Sequence, residues 1–275
     1  MLIALILNIV GGILAGLVFS FYSQLQMVFA SWRFKQVYGR RAALDGITLV
    51  YEELALRKGV QKFSYEKPGN ETLGFFSISR PIPIASVRAV SYLASSVGKF
   101  TAKTPSVRSD LETRNVMDLN FICFGGPGSN VLTASCQDNT GNRLARFNQQ
   151  FNEFVRVSDG SPLVHLDPNF DYGLILKVHP AQFPRQTWIA CAGIGERGTS
   201  GAAWFIANKW EEIRRHSGSR PFAALVRVEP DVHTGRDQSA LLEKLVVERK
   251  DWFSGKTKIV EVKLPSNSGF IQQTL

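Results

Sequence analysis

Two stretches of this chain share one grammar, and that grammar limits the folds open to them. Gln186 to Trp210 reads QTWIACAGIGERGTSGAAWFIANKW. An apolar, β-branched and aromatic run leads into a turn with glycines at 193, 195, 198 and 201, and an amphipathic run at helical spacing follows. Leu119 to Ser135, LNFICFGGPGSNVLTAS, repeats the pattern. Strand, glycine turn, helix is the geometry that offers bare backbone N–H groups and the positive end of a helix dipole to an anion, usually a phosphate. Two such turns in one domain point to a nucleotide-type ligand, without saying whether it is sensed or cleaved.

The remaining periodicities fit the same architecture. Leu73 to Ser79 reads as a buried strand ended by Arg80, Pro81 and Pro83, and Ile84 to Phe100 has a helical period. Asp118 to Phe124 is an apolar strand, and Ser129 and Asn130 stand where a helix N-cap would be. Gly173 to Val178 and Thr187 to Ala192 are strands close enough for a hairpin. Phe222 to Val228 and Lys258 to Leu264 are two more, with Gln238 to Glu248 ambiguous between helix and strand. Strands alternating with helices predict an α/β, Rossmann-like fold, its sheet mostly parallel or mixed and flanked by helices.

Ahead of this lies an N-terminal segment of another kind. Leu2 to Tyr22 carries no charged side chain and has the length of a bilayer-spanning helix. No Lys or Arg precedes it, which favours an uncleaved anchor over a signal peptide. The first cations downstream are Arg33, Lys35, Arg40 and Arg41, so the positive-inside rule puts the C-terminal bulk in the cytoplasm. Gly12 and Gly16 fit G-x-x-x-G, a pattern that would permit a homo-oligomer through this helix. The aromatic-rich stretch from Phe21 to Tyr38 reads as helix lying in the membrane interface. The predicted division is a transmembrane helix over 1–22, a juxtamembrane helical segment and linker over 23–71, and a cytosolic Rossmann-like domain over 72–275.

The 275 residues carry a net charge of +9, which suits anionic lipid or a phosphorylated ligand. Nucleic acid is disfavoured, since no long basic run and no binding signature are visible. The three cysteines, Cys123, Cys136 and Cys191, show no C-x-x-C spacing and read as small core residues in a reducing compartment. The four histidines are scattered, and no metal site is predicted.

Gly193, Gly195 and Gly198 match G-x-G-x-x-G, with Thr199 and Ser200 at the helix start as further donors. Gly125, Gly126, Ser129 and Asn130 form the second candidate set. Arg80, just past a strand end, is placed to pair with a phosphate, and Glu196 and Arg197 would meet it if the strands are parallel neighbours. The acid expected about twenty positions after a dinucleotide fingerprint is missing, since Arg214, Arg215 and His216 occupy that region. Asp167 and Asp171 read as turn residues.

The strand followed by Gly195-Glu196-Arg197-Gly198-Thr199, with the strand followed by Gly125-Gly126-Pro127, resembles the SLOG and LOG group of Rossmann-like nucleotide-binding domains. That resemblance spans roughly residues 72 to 215. LOG-type enzymes cleave nucleotide N-glycosidic bonds and carry P-G-G-x-G-T-x-x-E. Aligned here, Ala202 stands at the catalytic Glu, and Ala192-Gly193-Ile194 replaces Pro-Gly-Gly. SLOG-type members are regarded as sensors of nucleotide-derived signals. The resemblance therefore implies a membrane-anchored nucleotide or NAD-derived-ligand sensor, as in prokaryotic signalling or defence, with no catalytic residue assigned. Two alternatives stay open: an N-glycosidic hydrolase using Glu196 or another acid in the same pocket, and a membrane scaffold whose glycine turns are only turns.

Overall fold

A computed structural model describes residues 2–54, 62–67, 70–77, 81–101, 103–229, 237–251, 254 and 256–264; the side chains of 2–10, 43, 62–67, 70–77 and 238 lie outside that description. Arg80, a predicted site residue, is outside the described residues.

The fold is α/β and Rossmann-like, built on one mixed sheet of eight strands. Its parallel half runs from the edge strand β4 (Ser106–Ser109) through β1 (Thr48–Tyr51) and β5 (Phe121–Phe124) to β9 (Trp188–Gly193), adjacent in the order β4-β1-β5-β9. Beyond β9 the sheet continues antiparallel through β8 (Asp171–Val178), β10 (Phe222–Val228), β11 (Leu241–Lys250) and β12 (Thr257–Val262). The predicted hairpin between 173–178 and 187–192 is the β8–β9 pair, and it is what makes the sheet mixed. Two small hairpins stand apart from the main sheet: β2 (Lys62–Lys67) with β3 (Asn70–Ser77), and β6 (Ala145–Phe147) with β7 (Phe154–Arg156).

Both faces of the sheet are covered at its middle, so β5 and β9 are buried at every position instead of alternating. In β5, Ile122 and Phe124 face one core while Phe121 and Cys123 face the other. The first core lies under α3 (Ile84–Val97), α6 (Glu196–Ser217) and the end of α1 (Leu2–Tyr38). The second lies under α5 (Val131–Gln137) and the β6–β7 hairpin. Two short helices, α2 (Ala42–Asp45) and α4 (Asp110–Thr113), complete the set, with a 3-10 turn at Asp237–Ser239.

Helix α1 runs unbroken for 37 residues. It is long and apolar enough to cross a membrane, and its side chains from Gly11 to Phe29 are exposed. Its last turns are core, not interfacial as the aromatic content suggests. Phe34, Val37 and Tyr38 are buried, and Phe34 stacks on Tyr38 and Phe100 at 4.1 and 4.9 Å between ring centroids. The Tyr38 hydroxyl donates to the Ile206 carbonyl at 2.5 Å.

Strand β1 falls within 23–71, read from sequence as juxtamembrane helix and linker, yet it is an interior strand of the main sheet, paired with β4 and β5. Four residues are too few to show a period, and Tyr51 runs directly into Glu52 and Glu53. Strand β3 overlaps the expected strand at 73–79 but pairs only with β2.

Candidate functional site

Parallel strands aligned side by side end at one edge, and ligands of α/β folds collect there. At that edge β1 runs into Glu52, β5 into Gly125–Asn130, and β9, ending at Gly193, into Ile194–Glu196. The chain leaves β1 through α3 to β4 on one side, while β5 lies on the other, so the topology reverses between β1 and β5. A cleft of about 400 Å³ opens there. Its walls are Glu52, Ala85, Gly125, Gly126, Pro127, Gly128, Ser129, Phe147, Phe151, Gly193, Ile194, Gly195, Glu196 and Thr199.

Both glycine turns thus face one cleft. Of the residues expected from sequence, Gly125, Gly126, Ser129, Gly193, Gly195, Glu196 and Thr199 line it. Asn130, Arg197, Gly198 and Ser200 are not among the wall residues. Asn130 is fully buried as the N-cap of α5: its amide oxygen accepts from the Leu132 and Thr133 N–H groups, and its NH₂ donates to the Phe124 carbonyl. Ser200 is also fully buried and donates to Asp237 at 2.8 Å.

The turn before α6 differs most from expectation. Asp171, at the start of β8, reaches under it, and its carboxylate accepts from the N–H groups of Gly195 and Gly198 at 3.0 and 2.7 Å. A carboxylate at a helix N-terminus is a favourable anion there, and it is supplied by the protein itself. The Gly193 N–H donates to Thr199 Oγ1 at 2.9 Å, and the Ile194 N–H to the Tyr172 carbonyl at 3.0 Å. Three of the four N–H groups from Gly193 to Glu196 are therefore spent internally. Gly198 is glycine for packing: a Cβ there would overlap the Tyr172 carbonyl, and one at Gly173 would overlap the Gly198 carbonyl. Ala202, at the LOG-type glutamate position, is fully buried where α6 crosses β8.

Other donors remain. Among the described residues, the N–H groups of Gly126, Gly128, Glu196 and Arg197 make no internal hydrogen bond. They belong to the two turns around the cleft.

Glu52 was not identified from sequence. It is only 6% exposed, and its carboxylate accepts from the hydroxyls of Ser129 and, at 3.4 Å, Ser86. Burial pushes its pKa up, and the nearby carboxylates of Asp110 and Glu196 add to that, against the pull of the two serine hydroxyls. Gly125 has φ +101, and a Cβ there would strike the Glu52 carboxylate, so only glycine serves on both counts. The sequence signal was an acidic residue ending a short apolar run, legible only once that run is known to be a strand. Phe147 and Phe151 were missed as well, lying in the polar stretch Asp138 to Asn152, which carries no helix or strand period. Phe147 is buried. Phe151 is 46% exposed and holds a left-handed backbone at φ 57, a strained conformation costing about 1–3 kcal/mol.

Among the described residues, no group of three or more His, Cys, Asp or Glu is arranged to hold a metal ion. All three cysteines are buried and unbridged, and burial holds the Cys136 and Cys191 thiols well above their usual pKa. Comparison of the chain with protein-family models, curated proteins and solved structures finds no match.

Proposed function

We propose that this chain is a membrane-anchored module that binds a nucleotide-type ligand in the cleft between its two glycine turns, with the α/β domain on the cytoplasmic side. The carrying observation is the meeting of both turns at the carboxyl ends of adjacent parallel strands, in a cavity sized for such a ligand. Unspent N–H groups on both turns, hydroxyl and carboxylate groups on the wall, and two phenyl rings supply the contacts a nucleotide uses. The apolar helix and the downstream cations support the anchor and its orientation. The resemblance to SLOG-type sensors agrees with a binding role.

Calorimetry of the full chain in detergent micelles, with a panel of ribonucleotides and NAD derivatives, tests this. A Cβ added at Gly126 meets nothing closer than the Gly193 carbonyl at 3.9 Å, so Gly126→Val fills the cleft without disturbing the core. The expected result is binding by the native chain and a loss of about tenfold or more in the variant. Absence of heat with every ligand, or unchanged affinity in Gly126→Val, overturns the proposal.

A hydrolytic reading gains support from one observation. Glu52, unlike Ala202, is a carboxyl group facing the cleft, with the raised pKa that suits a proton donor to a departing base. Chromatography of nucleotides incubated with the chain separates the readings: hydrolysis releases free base, and sensing does not.

A further inference from the structure

We infer that Glu52 reads the sugar of the ligand: the cleft takes a ribosyl group whose vicinal hydroxyls donate to the Glu52 carboxylate. This rests on the nucleotide reading of the cleft and names the part of the ligand it recognises.

In dinucleotide-binding sheets, the acid that takes the ribose hydroxyls ends a strand close to the glycine turn that takes the phosphates. The chain lacks an acid at the expected spacing after Gly193, but the sheet supplies one from elsewhere. Strand β1 pairs with β5, and Glu52 directly follows β1, against the Gly125 turn.

An ionised carboxylate has about four lone-pair sites. Two protein hydroxyls use part of that capacity, and one of them, on Ser129, itself lines the cleft. Among the described residues no ion pair includes Glu52. The neighbouring acids have structural work instead. Asp110 accepts from the N–H groups of Glu53 and Val131, and Asp171 from those of Tyr172, Gly195 and Gly198. Glu52 makes no such backbone bond. A carboxylate buried on a cavity wall with only hydroxyl partners costs stability, and a ligand hydroxyl is the donor that would complete it.

Asp171 takes the Gly195 and Gly198 N–H groups at the start of α6, while those of Glu196 and Arg197 stay unspent among the described residues. Phe151, strained and half-exposed at the cleft, offers a face on which a base can stack beyond the sugar.

The test is calorimetry of the full chain in micelles with each ribonucleoside 5′-monophosphate and its 2′-deoxy counterpart, repeated on Glu52→Gln. The native chain should prefer the ribo form by about tenfold or more. Glu52→Gln should lower affinity for the ribo form and bring the ratio close to one. The ratio in the native chain is a readout that needs no variant to fold. Equal affinity for ribo and deoxy forms, or a ratio that survives Glu52→Gln, overturns the inference while leaving the nucleotide reading in place. Binding of no nucleotide at all overturns both.

Discussion

Glu52 and Lys177 are buried ionisable groups at opposite edges of the sheet, and each leaves a signature in the pH dependence of stability. The raised pKa of Glu52 means that the folded state holds its proton more tightly than the unfolded state does. Its stabilising contribution is complete below the unfolded pKa and is lost as pH rises through the folded one. Glu52→Gln lacks that loss. The variant should therefore gain thermal stability relative to the native chain as pH is raised from about 4 to neutrality, by a few degrees, measurable by circular dichroism across pH. Lys177 has the other sign. It is fully buried, donates to the carbonyls of Gln36 at 2.7 Å and Ser219 at 3.0 Å, and burial lowers its pKa to about 7. Between that value and the unfolded value of 10.5 the unfolded state carries the extra proton, so stability should rise with pH across this window. Lys177→Met should flatten that slope, as unfolding midpoints at pH 7 and pH 10 would reveal. It should also loosen the end of α1, since it orphans the Gln36 carbonyl.

At the scale of elements, α6 lies so close to β8 that two glycines, Gly173 and Gly198, leave no room for a Cβ. Gly173→Ala should cost about 3 kcal/mol through overpacking, whereas Gly126→Ala, opening on the cleft, should cost less than 1 kcal/mol; denaturant titration of both variants distinguishes packing glycines from ligand-facing ones. The elements legible in sequence were those with long, uniform patterns. Helices α3, α5 and α6, the strands β5, β8, β9 and β10, and the β8–β9 hairpin follow from apolar runs and turn residues. Strand β11 was ambiguous because its mixed burial, with charges at Glu243, Lys244, Glu248, Arg249 and Lys250, imitates an amphipathic helix. Strand β6 escaped because three residues inside a polar stretch carry no period. Among the site residues, both glycine turns were legible, but the use of their N–H groups was not. Asp171 lies over twenty residues before the turn that it caps, and no local pattern links the two.

For the whole molecule, the distinctive feature is the continuity of α1 from apolar segment to domain core. At 1.5 Å per residue, 37 residues span about 55 Å, against a hydrocarbon layer of about 30 Å. A helix that crosses the layer with residues 2–22 therefore extends well beyond it before Phe34, Val37 and Tyr38 lock into the core under α6. Anchored as proposed, α1 would be a stiff connection instead of a tether. Phe34→Ala should cost about 3–5 kcal/mol, read as a lowered unfolding midpoint in micelles. In sealed inverted membrane vesicles, protease added from outside should digest the domain without detergent; protection of the domain would reverse the proposed orientation.

The sequence by itself determined the α/β class, the apolar N-terminal helix, and the position of both glycine turns, because each depends on short-range periodicity or on residues with special backbone freedom. Only the tertiary structure decided which strands are neighbours, and with that which groups share the cleft. Strand pairing brought Glu52 to Gly125 and Ser129 across more than seventy residues, and brought Asp171 to the start of α6. Those contacts follow from the burial of both sheet faces and the reversal of topology between β1 and β5, which no local pattern of residues encodes.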